Sequence, residues 1–302
     1  MRSLAFIATL LLAMATCLAA QSSAPSSAPA VSPESSAMLQ RVIASEKKDE
    51  EALEVYERIE RLETRKNAND PAPTSIKVAR VIPSGTGMDK IPVDPDGKPP
   101  DREAYRARLE ALEHALTLIV ENNRGQRDSV ARYARKRKDR ADVIEAARNA
   151  FFFTFVDREQ RKGRTLAKYE MTPNPAFRPT SRLTTILTKV HGYLWIDEDA
   201  GELVRIEGEI TADIPIGIFL GKIYKGSHFM EERYEIHPGL WEPSLSEYDF
   251  DGRKLFSGFS IHERAFFSHY RYIGPPKEAL EAIRKELGRA DLGKSADAAT
   301  DR

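Results

Sequence analysis

Six histidines are spread along the 302 residues, and His228, His237, His262 and His269 fall in the last third of the chain among acidic residues. Imidazole and carboxylate together form the usual ligand set of a zinc centre. His228 and Glu232 lie four apart on a segment of strand character. Four residues of strand span about 13 Å, too far for one ion without a partner strand. These histidines read as strand-end residues, and no metal is expected. Glu207, Glu209, Glu231 and Glu232 are carboxylates of the kind a glycosidase sets across a cleft, one with a raised pKa. Each sits on the polar side of an alternating strand, where charge is normally solvated. Ser257-Gly258 lacks the Gly-x-Ser-x-Gly elbow of a serine hydrolase. Gly85-x-Gly87 lacks the Gly-Lys-Ser/Thr that a phosphate loop needs. No catalytic residue and no cofactor is expected, and a hydrolase is the weakest alternative.

Two other groups carry more information. From Arg124 to Arg140 eight Lys and Arg face only Asp128 and Asp139. Arg132, Arg135, Lys136, Arg137, Lys138 and Arg140 are candidates for contact with an anionic membrane surface or an acidic envelope protein. The plain reading of such a run is a solvated helix face. Nucleic acid is excluded as a partner, because Lys plus Arg equals Asp plus Glu at 46 each and the chain reads as exported. The second group is aromatic. On a strand, Phe151, Phe153 and Phe155 share one face and Phe152 takes the other. Such a face forms either a filled core or the wall of an apolar hollow.

The elements that position these groups follow from periodicity. Leu39, Val42, Ile43 and Leu53 suggest a first helix, and Tyr56–Lys66 leans to a strand. Residues 76–82 alternate as a second strand. After Pro99-Pro100, Asp101 caps a helix in which Tyr105, Leu109, Leu112, Leu116 and Ile119 form one apolar stripe. A second helix runs to Asn149. Beyond Ala150 the pattern changes to strands, with Leu183–Asp197 expected to resume the sheet after three prolines. Val204, Ile206 and Ile210 alternate with Arg205, Glu207 and Glu209, as a half-buried antiparallel strand requires. Tyr224, His228, Met230, Tyr234 and Ile236 are expected on one face of the next strand. Asp251-Gly252 is a strong hairpin signal. A short helix carrying Leu280, Ile283 and Leu287 ends the fold. Helices are grouped rather than alternating with strands, which predicts α+β.

The N-terminus reads as an export signal: Arg2, then the apolar run Leu4–Leu12, then Ala19-Ala20 as a small-residue cleavage site. Cys17, the sole cysteine, offers a minor alternative of lipid anchoring. The expected organisation is a signal peptide at 1–20, a flexible Ser/Ala/Pro-rich tether at 21–37, one domain at 38–290 with a helical insertion at about 101–149, and a polar tail at 291–302. High charge content and low mean hydropathy speak against a multi-span membrane protein. The uncharged run Ile214–Leu220 is far too short to span a bilayer, and Pro215, Gly217 and Gly221 would break any helix. Ile214, Ile216, Ile218 and Phe219 are expected at the rim of the sheet, as a lid or a core plug.

Three stretches carry a resemblance. They are "GYLWIDEDAGELVRIEGEI", the step "KGSHF" into an alternating strand, and the "GLWEP" turn. Together they resemble the outer-membrane lipoprotein-sorting (LolA/LolB-like) superfamily over about residues 150–273, and less clearly 50–122. The resemblance implies a curved antiparallel half-barrel with helices packed on its concave side. It implies a non-enzymatic periplasmic carrier whose hollow takes a lipid or lipoprotein acyl chain. Phe153, Phe155, Ile206, Ile210, Tyr224, Met230, Tyr234, Phe259 and Ile261 are the expected lining. The alternative is an envelope structural or interaction protein with a filled core, docking through its basic helix.

Overall fold

The computed structural model describes residues 33–216, 221–254 and 257–300. The expected signal segment, Cys17, the tether up to residue 32, Ile218 and Phe219 lie outside the described residues. The chain begins with helix α1 (Pro33–Ala52) and one 3-10 turn (Leu53–Val55). Strands β1 (Tyr56–Arg65), β2 (Ser75–Pro83) and β3 (Met88–Pro92) follow. Next come helices α2 (Arg102–Val120) and α3 (Arg124–Ala150), then strands β4 (Phe151–Arg161) and β5 (Arg164–Pro173). Helix α4 (Arg182–Leu187) leads into β6 (Val190–Asp197) and β7 (Glu202–Ile210). A small hairpin, β8 (Ile214–Ile216) and β9 (Gly221–Ile223), precedes the long strands β10 (His228–His237), β11 (Leu240–Lys254) and β12 (Ser257–Tyr272). Helix α5 (Pro276–Thr300) closes the order.

The fold is α+β. The sheet runs β3-β2-β1-β12-β11-β10-β7-β6-β5-β4, every pair antiparallel, with β9 attached to β11 beside β8. Its two ends, β3 and β4, do not meet, so the curved sheet stays open. Among the described residues no helix is long and apolar enough to cross a membrane.

Helices α1, α3 and α4 cover the concave face. Met38, Leu39 and Val42 of α1 join Phe151, Tyr169, Met171, Leu194 and Ile210 in one buried cluster. A second cluster forms at the β1–β3 end, where Leu109, Leu112 and Leu116 of α2 meet Leu280 and Ile283 of α5 over Ile82 and Ile91. Directly paired residues share a face. Following the pairs Val81–Arg58, Leu62–Ala265, Ser246–Glu231 and Glu231–Ile206 puts Val81 on the face of the first cluster, and Ile82 on the other. Both Val81 and Ile82 are fully buried. This end of the sheet is therefore covered on both sides, α2 and α5 lying opposite α1. Arg80 ties the second cluster together, donating to Glu57 of β1 at 2.7 Å, Tyr105 of α2 at 2.6 Å and Glu286 of α5 at 2.9 Å.

Several expected boundaries move, each for a local reason. Residues 33–37 belong to α1 rather than to a tether. α5 continues through Thr300, so most of the expected polar tail is helical. Residues 182–187 are helical because Ser181 caps them: its side chain accepts from the Thr184 amide while Thr184 accepts from the Ser181 amide. Asp251-Gly252 is not a turn. It lies inside β11, paired with Ser260 and Phe259. Gly252 is needed there because a Cβ would sit 2.5 Å from the Phe259 ring. Tyr224 falls in the bend between β9 and β10, so it does not extend the face of Met230.

Gly192 of β6 pairs with Gly208 of β7, and the Phe229 ring closes over Gly208, where a Cβ would come within 2.7 Å of it. A Cβ on Gly192 would overlap the Glu207 carbonyl oxygen, which is backbone and cannot swing aside. Gly192→Ala is expected to cost about 2–3 kcal/mol as overpacking, read as a lower urea midpoint at unchanged slope. A wild-type midpoint would show that β6 and β7 part freely.

Candidate ligand cavity

The strand alternation that builds the concave face leaves it incompletely filled. Between the sheet and α1, α3 and α4 lies a cavity of about 380 Å³. That falls in the size range of small-molecule sites. Leu39 and Val42 of α1 and Val143, Ile144 and Ala147 of α3 form its helical wall. Phe151, Phe153, Met171, Leu194, Ile206 and Ile210 form much of its sheet wall. The α4 cap sets Ile186 and Leu187 at one side, and Ile214 and Ile223 of the small hairpin complete another.

The charged part of the wall comprises Glu231 and Arg233 of β10, Glu46 and Glu50 of α1, and Asp139, Arg140 and Arg148 of α3. Register brings Arg233 to the same region as Glu231, and α1 passes over both. The Arg233 Nη1 donates to Glu46 Oε1 at 2.5 Å and lies 3.8 Å from Asp49, while its Nε donates to Glu231 at 3.1 Å. Ser45 of α1 donates to Glu202 of β7 at 3.0 Å. Glu242 of β11 is fully buried, and neither of its carboxylate oxygens has a hydrogen-bond partner.

So many carboxyls cannot all ionise in a desolvated space. Burial pushes Glu46 up to about 8, against the pull of Arg233, with Glu231, Asp49 and Glu202 adding to the rise. Burial pushes Glu242 up to about 9, opposed by Arg233 and Arg58. Asp49 and Glu202 are raised for the same first reason. Arg233 stays a cation: burial works against its charge, but Glu46 and Glu231 outweigh it.

Three of the expected lining residues bring their side chains to the cavity: Phe153, Ile206 and Ile210; Met230 borders it, but it pairs with Glu207 and its side chain takes the outer face. Ile214, expected at the rim, lines it too; Ile216 lies in β8. The others do not reach it. Phe155 shares the register of Tyr169 but sits on the edge strand β4, 44 % exposed, with Arg158 stacked on its ring. Tyr224 is 37 % exposed in its bend. Tyr234 is exposed and packs edge-on against Tyr270, beyond a register shift in the β10–β11 pair. Phe259 packs on the first cluster away from the cavity, and Ile261 is half-buried opposite Phe250. Glu231 is the reverse case, a presumed solvated charge that faces inward. Glu46, Arg233 and Glu242 were not anticipated as site residues. On a helix rich in Lys and Glu, and on strands of regular alternation, nothing in their types or spacing marks them.

The basic helix divides. Arg140 pairs with Glu50 and lies 3.6 Å from Glu54, Arg137 lies 3.8 Å from Glu54, and Tyr133 donates to Glu54 at 2.7 Å. These hold α3 against α1. Arg132, Arg135 and Lys138 are exposed, and Lys136 is half-buried; Lys138 pairs with Asp142 one turn on, at 2.5 Å. The histidines stay apart: His262 faces Asp249 at 3.1 Å, His191 faces Glu170 at 2.9 Å, and His228 pairs across to Glu209. Glu232 is held by Arg161 and Arg205, at 2.5 Å each, on the outer face with Glu207. Among the described residues, no three His, Cys, Asp or Glu side chains are placed to share a metal ion. No family model, no curated protein and no solved structure matches the chain.

Carboxyls raised by burial bind protons in the folded state that the unfolded chain has already released. Their contribution is present below the ordinary carboxylate range and is lost as pH climbs through the folded values of Glu46 and Glu242. The melting temperature is therefore expected to fall between pH 6 and pH 9. Glu242→Gln keeps the shape and removes the titration, so the fall should shrink by about 2–4 °C for each kcal/mol recovered. An identical pH profile in that variant would show that Glu242 does not drive the loss.

Proposed function

We propose that the chain is a non-enzymatic periplasmic carrier of the lipoprotein-sorting type, holding a lipid or lipoprotein acyl chain between its sheet and helices. The observation that carries this reading is the apolar cavity bounded by α1, α3 and α4. Taking an alkyl chain out of water is worth about 0.8 kcal/mol per methylene. Sequestration of this kind needs a dry wall and no covalent chemistry. The unfilled space supports this reading over that of an envelope protein with a filled core. The resemblance in β6, β7, β10 and β11 points the same way.

Ala147 faces the cavity from α3 and is only partly buried. Ala147→Phe should fill space rather than disrupt packing. The expected outcome is at least a tenfold loss of uptake of a fluorescent fatty acyl probe, with the melting temperature held or raised. Undiminished uptake would place the probe elsewhere and remove the cavity from the proposal. Lipid extraction of protein purified from its own envelope is the companion test.

The exposed cations on the first half of α3 suit contact with an anionic leaflet, each Lys or Arg near such a surface contributing about 1 kcal/mol. Replacing Arg132, Arg135 and Lys136 together by Gln should weaken sedimentation with vesicles containing phosphatidylglycerol by tenfold or more at low salt. Wild-type binding by that variant would assign the basic run to the α1 contact alone.

A further inference from the structure

Helices α1 and α3 run antiparallel, and a ladder of polar contacts closes the seam between them. Along α3, Tyr133 donates to Glu54, Arg140 pairs with Glu50, and Glu145 pairs with Lys47. Each step toward the C-terminus of α3 meets a residue nearer the N-terminus of α1. Arg148 is the next charged residue of α3, and it belongs to the cavity wall. Here the ladder stops. Beyond Lys47 in this direction, Glu46 is taken by Arg233, and Ser45 donates to Glu202. The stretch before them, Met38 to Ala44, reads MLQRVIA and holds no acid. Its one charge, Arg41, is a second cation and lies against Gly201. Arg148 is exposed, and among the described residues nothing is hydrogen-bonded to or ion-paired with its guanidinium.

The other two cations of the wall are already engaged, Arg233 by Glu46 and Glu231, and Arg140 by Glu50. Asp139 sits at the Arg140 end, nine residues from Arg148, which is about 14 Å along a helix. Between them α3 presents Val143, Ile144 and Ala147 to the cavity. The α3 side of the wall is thus apolar along its middle and ends in one open cation. A guanidinium offers a planar fork of N–H donors that matches a carboxylate or phosphate. At an exposed position such a head keeps part of its water, while its tail can enter the dry wall.

Resting on the carrier reading, we propose that Arg148 is the head-group anchor of the cavity. It holds the carboxylate or phosphate of an anionic amphiphile whose alkyl chain lies along Ala147, Ile144 and Val143. The ligand supplies the acid that α1 lacks opposite Arg148. Of the ligands the carrier reading admits, this selects a lipid with a free anionic head over an acyl chain joined through an uncharged ester or amide.

The test is isothermal titration at pH 7 with decanoate, decyl phosphate, decanol and inorganic phosphate, each amphiphile below its micellar concentration. Decanol reports the tail alone and inorganic phosphate the head alone. Decanoate and decyl phosphate are expected to bind at least threefold more tightly than decanol, and inorganic phosphate far more weakly than any of them. Arg148→Gln should weaken both anionic amphiphiles at least fivefold and leave decanol unchanged. Arg148→Lys keeps the charge without the fork and should recover part of the loss. Lys77→Gln removes an exposed cation that does not line the cavity and should leave all four titrations unchanged. Decanoate bound equally by wild type and Arg148→Gln, with decanol still bound, would overturn the anchor and leave the carrier intact. So would an equal loss in Lys77→Gln, which would make the effect one of net charge, or a parallel loss of decanol in Arg148→Gln. Inorganic phosphate binding as tightly as decyl phosphate would overturn the amphiphile and leave a bare anion site. If no amphiphile binds, the carrier reading itself falls, and this inference with it.

Discussion

Arg233 sits where α1 crosses the sheet, with its side chain only 8 % exposed. A guanidinium so buried is tolerable only with carboxylates in direct contact, and removing one partner of such a pair typically costs about 3–5 kcal/mol. Glu46 and Asp49 from α1 and Glu231 from the same strand supply that contact. The pairing does more than neutralise charge. It fixes the height of α1 above β10, because the reach of an arginine and a glutamate sets the gap. The ion pairs of Arg140 with Glu50 and of Lys47 with Glu145 then fix α3 to α1. The helical roof is thus strutted by polar contacts along one side and seated on Met38, Leu39 and Val42 along the other. A roof held this way need not collapse onto the sheet, and the unfilled apolar space beneath it is the consequence.

The other end of the same sheet follows the opposite rule. Around Ile82 and Ile91 the helices α2 and α5 close directly on the strands, and no residue of that cluster lines the cavity. Arg80 is the counterpart of Arg233 there, yet its partners Glu57, Tyr105 and Glu286 complete its hydrogen bonding without leaving space. One sheet therefore carries a packed core on one face and a roofed hollow on the other. The chain can leave one volume unfilled because apolar burial elsewhere supplies stability, in line with the area dependence of the hydrophobic effect.

Much of this plan was legible in the sequence. The Leu109-Leu112-Leu116 stripe and the Asp101 cap defined α2, and the alternation of Val204, Ile206 and Ile210 defined β7 with its outward charges. Failures came where tertiary context overrides pattern. Asp251-Gly252 has hairpin chemistry, but the Phe259 ring across the ladder uses the glycine for space instead. Phe155 has the parity of a lining residue, as Phe151 and Phe153 do, but farther along the edge strand its ring is exposed and is covered by Arg158 instead. The charged half of the site was least legible. Glu46 lies in a run of Lys and Glu that any helix could show to solvent, and Glu242 follows a tryptophan at the start of β11. Only the crossing of α1 over β10 and β11, set by pairings some 190 residues apart in sequence, gives them meaning.

On the proposed reading, α3 joins two tasks along one axis. Its first half presents Arg132 and Arg135 outward, and its second half places Ile144 and Ala147 in the cavity wall. Arg135 and Ile144 are nine residues apart, which is about 14 Å along a helix. That is close to the thickness of the hydrocarbon part of one leaflet, about 15 Å. A helix whose basic half rests at the headgroups would therefore hold the cavity within one chain length of the membrane surface. The same helix is fastened to α1 by Arg140, whose partner Glu50 lies one turn beyond Glu46. That pair holds α3 to the helix that carries the Glu46–Arg233 contact, so the basic face and the cavity wall belong to one braced unit.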